Sequence, residues 1–165
     1  MPPFAALTLA LIAPDVPTRE QLRPLAGTWQ VVSVAPGGSE RLEVCYRVEP
    51  VLGGRFLAGH ATAAAPDFGS RDMWGLDEAS GEVIRSIFDI SGTHAVVRSK
   101  GWQGGTLVLE GDARSKNGSL RVRETNKRVS DSEFTATWEA WRGGKWQAYA
   151  LETARRVNVP DCPRG

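Results

Sequence analysis

The sequence predicts an all-β fold: a single antiparallel up-and-down β-barrel of about nine or ten strands behind a short N-terminal helix. Three observations carry that expectation. From Trp29 to Val157 apolar residues recur with a period near two, the spacing at which successive side chains leave opposite faces of a strand. Nearly every gap between these stretches is short and holds Gly, Asn or Asp, as tight hairpins require. No useful length of 3.6-residue periodicity interrupts the run. Consecutive strands of this kind form a meander, and uniformly short loops favour closure over a Greek-key sandwich, which needs some long connections.

The chain opens on "PPFAALTLALIAP", well under the roughly 20 residues of a spanning helix. It has the length of a secretory h-region, and small residues around Ala10 to Ala13 suit processing. No Lys or Arg precedes it, and Pro14 is awkward beside a cut after Ala13. Export to the periplasm or medium is the expectation, with a tail packed on a cytoplasmic domain as the alternative. Residues 1–17 thus read as a leader, 18–157 as the barrel and 158–165 as a C-terminal tail.

In "DVPTREQLRPLAG" Thr18 and Gln21 have the spacing of a capping box, and Pro24 and Gly27 limit the helix to a turn or two. "GTWQVVSV" starts the first strand, with Trp29, Val31 and Ser33 on one side. "RLEVCYRVEPVL" follows, its Pro50 marking an edge or bend. "RFLAGHATAAA" sets Phe56, Ala58, His60 and Thr62 on one face. "RDMWGLD", a turn at "EASG" and "EVIRSIFDI" read as a hairpin with Ile84, Ser86, Phe88 and Ile90 aligned. "THAVVRSKGW", "TLVLEG", "SLRVRETN", "FTATWEAWR" and "WQAYALETARRV" complete the series.

Charge narrows the partners. Lys plus Arg is 20 against 19 for Asp plus Glu, a formal net charge of +1. That balance argues against nucleic acid, since phosphate binding draws on a basic excess. There is no CxxC and no Cys/His cluster, so structural zinc is not expected. The two cysteines, Cys45 and Cys162, would form a disulfide in an exported protein and stay plain thiols in the cytosol.

"GTW" opening the first strand after a short helix resembles the G-x-W signature of the calycins, the lipocalins and fatty-acid-binding proteins. "LAGTW", "LGGRFLAG", "GLDEASGEV" and "LVLEGD", in that order over Leu25 to Val157, further resemble a bacterial lipocalin-like family of unknown function. The resemblance implies that Trp29 closes the barrel base under an arginine of the last strand, Arg155 or Arg156, through cation–π contact. It implies no transferable activity. Related haem-carrying barrels ligate iron through a histidine near the C-terminal end; Phe134 to Val157 contain none, and no cofactor is expected.

A barrel of this size either fills with side chains or keeps a cavity for one small ligand. The candidate lining residues are His60, in register with Phe56 and Ala58; Trp74, a cavity aromatic; Trp138, on a face with Phe134, Ala136 and Ala140; and Glu124. If inward, Glu124 needs a buried partner, for which Arg98 and Tyr149 are the candidates. Three readings stay open. The leading one is a binder of a small hydrophobic or amphipathic ligand, as monomer or homodimer. An enzyme (isomerase, cyclase or hydrolase) would need an acid–base pair from His60 with Glu124 or Asp72. A filled structural barrel is the third. One or two isolated inward polar groups favour binding, a convergent cluster favours catalysis, and bulky apolar residues alone favour filling.

Overall fold

A computed structural model describes residues 19–38, 41–63 and 68–158. Two short 3-10 turns, Arg19–Gln21 and Arg23–Leu25, precede eleven strands: β1 (Gly27–Val34), β2 (Arg41–Val51), β3 (Phe56–Ala63), β4 (Gly69–Asp77), β5 (Glu82–Asp89), β6 (His94–Ser99), β7 (Trp102–Gln103), β8 (Thr106–Ser115), β9 (Gly118–Ser130), β10 (Glu133–Arg142) and β11 (Lys145–Arg156). All pairings are antiparallel. β1 pairs with β11, Trp29 opposite Arg156, and β6 pairs with β8, so ten strands close into a barrel. β7 is the extra strand, a short spur pairing only with the start of β8. Among the described residues closure leaves no long unpaired edge.

The seam between β6 and β8 depends on Gly111. A Cβ there would lie 1.9 Å from the Val96 carbonyl oxygen and 2.9 Å from Val97 Cα, so only glycine lets the two backbones approach.

One pole of the barrel is sealed. Trp29 is buried, its Nε1 donating to the Leu25 carbonyl (2.9 Å), with the Phe134 ring edge-on at 5.1 Å and the Arg156 guanidinium 4.2 Å from the indole centroid. Arg156 Nη1 and Nη2 donate to the carbonyls of Ala26 (2.8 Å) and Pro24 (3.1 Å), satisfying the 3-10 turn that crosses the base. Gly27 makes room: its φ is +138°, and a Cβ would stand 2.1 Å from Arg156 Nη1. Arg155 points outward to Glu133 (3.1 Å). Gln21, expected in a capping box with Thr18, instead accepts from the Trp102 backbone N–H (3.3 Å), and its carbonyl accepts from Trp102 Nε1 (2.9 Å); Thr18 lies outside the described residues.

The inward row of β3 is Leu57, Gly59, Ala61 and Ala63, all buried. The face bearing Phe56, Ala58, His60 and Thr62 is the outer one, which corrects the expectation that His60 points inward. Phe56 is large, but its ring lies across Gly75 of β4 on the outside, while the small inner residues leave space for side chains from neighbouring strands. Cys45 is buried in β2; Cys162, its expected partner, lies outside the described residues, as do residues 1–17 of the expected leader. No helix among the described residues is long and apolar enough to cross a membrane.

Candidate functional site

The barrel encloses a cavity of about 390 Å³ between the Trp29 floor and the opposite pole, where Phe68, Ser70, Asp89 and Thr93 line it. That volume falls in the range of small-molecule sites, about 300–1,000 Å³. Its walls are mostly apolar: Val31, Val44, Ala61, Ile87, Ala95, Ala113, Val122, Ala136 and Ala154 contribute. Small residues dominate, and their missing side-chain volume is the cavity.

Across its middle runs a buried polar cluster. β5 carries Arg85, which register places beside Trp74 of β4. Arg85 Nε donates to Asp72 Oδ2 (2.8 Å), Nη2 donates to the same oxygen and more weakly to Tyr46 Oη (3.4 Å), and Nη1 reaches both Glu124 oxygens (2.7 and 2.6 Å). Tyr46 Oη stands 2.7 Å from Asp72 Oδ2 and accepts from Trp74 Nε1 (3.0 Å). The guanidinium lies 4.3 Å from the Trp74 ring centroid and 5.6 Å from that of Trp138. Gly59 of β3 makes the cluster possible, since a Cβ there would sit 1.7 Å from Asp72 Oδ1.

Burial works against the Arg85 charge, yet the Asp72 and Glu124 carboxylates outweigh it and hold its pKa above the ordinary arginine value. Burial likewise pushes the Tyr46 hydroxyl up, with the Arg85 charge opposing and the Asp72 charge adding.

Beside this cluster lies Glu152 of β11, which lines the cavity. Burial, and then the charge of Glu124, raise its carboxyl above the usual 4.5; hydrogen bonding to Trp138 and Ser33 and the Arg85 charge offset this only in part. A carboxyl whose folded pKa is raised binds more protons folded than unfolded, so its contribution to stability is lost as pH rises from 4.5 through the folded value. Glu152→Gln should therefore be more stable than the wild type at pH 7, with the gap closing below pH 4.5. Paired urea titrations across that range check it.

Of the residues expected to line a site, Trp74, Glu124, Trp138 and Tyr149 do border the cavity. Tyr149 stands half-exposed near the mouth, its hydroxyl pKa raised by burial and by the charges of Glu124 and Glu152. Arg98 does not take part: it lies on the outer face, bonded to Asp77 (2.8 Å). The partner Glu124 needed is Arg85 of β5, which it meets across the barrel interior. His60 is also outside, so it forms no acid–base pair with Glu124 or Asp72. Tyr46, Arg85, Asn126 and Glu152 were not singled out from the sequence. Among the described residues no group of His, Cys, Asp and Glu is arranged to hold a metal ion.

No family model matches the chain, and no curated protein matches it. Among solved structures, a redesigned β-barrel is similar with a TM-score of 0.42 at 15% identity, over 84% of this chain and 96% of that one. A protein of unknown function from the DUF3598 family of Nostoc punctiforme gives a TM-score of 0.27 at 8% identity, over 86% of this chain and 99% of that one. Neither bears on what this chain binds.

Proposed function

We infer that this chain binds one small amphipathic molecule inside its barrel. The observation that carries this reading is the cavity itself: about 390 Å³, apolar-walled, with polar groups confined to its middle and mouth. A barrel built only for rigidity would fill that space, because empty apolar volume costs stability. The inward polar residues do converge, as catalysis would need. Asp72 and Glu124, however, are locked on Arg85 and are not available as an acid–base pair, so binding is favoured over proton transfer. The Trp29–Arg156 contact under the floor supports kinship with the calycin barrels.

A neutral fluorescent naphthylamine dye tests the reading. It should bind one to one and quench emission from Trp74 and Trp138. Ala136→Phe, which puts a ring into the open space above a small lining residue, should weaken the dye at least about tenfold while leaving thermal stability unchanged or higher. A dye that fails to bind the wild type, or binds both proteins alike, would remove the cavity from the account.

A further inference from the structure

We propose that the ligand is a cation: an amine with a flat apolar body, its ammonium on Glu152 and an adjacent hydroxyl or carbonyl oxygen on Asn126. The proposal rests on the cavity-binding reading and specifies its ligand class.

Charge inside the barrel is unbalanced. Arg85 is the one cation among the described lining residues, against Asp89, Glu124 and Glu152, with Asp72 directly behind it. Arg85 cannot greet an anion, because Nε, Nη1 and Nη2 are all engaged by Asp72, Glu124 and Tyr46. Asp72 and Glu124 together already exceed its charge. Glu152 and the mouth-side Asp89 add to the negative side, although the Asp89 carboxylate also accepts from the Ser91 and Thr93 backbone N–H groups (2.9 and 3.0 Å). A low-dielectric wall focuses such a field into the space it encloses. A carboxylate ligand would be repelled there and an ammonium drawn in.

Asn126 gives an independent sign of a ligand. It is 9% exposed, lines the cavity, and its Nδ2 is a buried donor with no hydrogen-bond partner among the described residues. Such a group is costly unless something else satisfies it. Register puts Asn126 and Glu152 in one row, with Ala136 of β10 between them. Two strand spacings separate them, roughly 10 Å, and the alanine leaves that interval open. Trp138, next along the inward face of β10, offers an indole to a cation or a flat ring.

The test uses three probes with one naphthyl body: an amino alcohol, the matching diol and the matching hydroxy acid, titrated calorimetrically into the full chain at pH 7. The amino alcohol should bind at least about tenfold tighter than the diol, and the hydroxy acid more weakly than either. In Glu152→Gln the ratio of amino alcohol to diol should fall to within about threefold. A diol equal to the amino alcohol, or a preferred hydroxy acid, overturns the cationic assignment and leaves the cavity reading standing. So does binding of the neutral dye with none of the three probes. If dye and probes alike fail, both readings fall. The ratio measured on the wild type stands whether or not the variant folds.

Discussion

Arg85→Met should cost about 3–5 kcal/mol of stability at pH 7, since it leaves Asp72 and Glu124 buried without their counter-charge. Those side chains are 1% and 4% exposed, so water cannot take over the role. A triple variant with Asp72→Leu and Glu124→Leu added should recover more than half of the loss, because an apolar substitute for a complete buried ion cluster is often neutral. Urea titrations of the wild type and the two variants at pH 7 measure both. A cost under 1 kcal/mol for the single change would mean that the cluster is solvated.

Gly111→Ala should be the second severe change. The added methyl meets backbone atoms of Val96 and Val97, and backbone cannot rotate aside as a side-chain tip can. The expected cost is about 3 kcal/mol or more, concentrated at the β6–β8 seam. Amide exchange at residues across β6 should accelerate more than elsewhere. Gly69→Ala is the comparison. Its methyl would meet the Ile90 side chain at 3.2 Å, a flexible contact, and stability should change by less than about 1 kcal/mol. Equal losses in the two variants would show that glycine content, rather than the seam, sets the cost.

The barrel was legible because period-two alternation and hairpin chemistry are local signals, and the closing Trp29 with a late arginine could be placed by a known resemblance. Between Arg155 and Arg156 the sequence offered no choice; register decides, since only Arg156 lies opposite Trp29. The site was partly legible. Trp74 reads as a cavity residue, and counting back across the Asp77–Glu82 turn pairs it with Arg85. That count puts an arginine beside it, and barrel closure then brings Glu124 of β9 across to meet it. His60 was misplaced because Phe56 looked like the core-facing residue of its strand. In a barrel with a cavity the inner face is instead the one with small side chains, and Leu57, Gly59, Ala61 and Ala63 are that face. Asn126 sits two residues after Glu124, so alternation along β9 alone puts the two on one face. Glu152 is harder to place, because the register shift between Trp138 and Glu139 makes Tyr149 an extra residue opposite β10 and breaks the alternation between Tyr149 and Glu152.

Because Trp29 faces Arg156 across neighbouring strands, the barrel proper begins and ends side by side beneath its plugged floor. The opposite pole, lined by Phe68, Ser70, Asp89 and Thr93, carries neither end of the strand series.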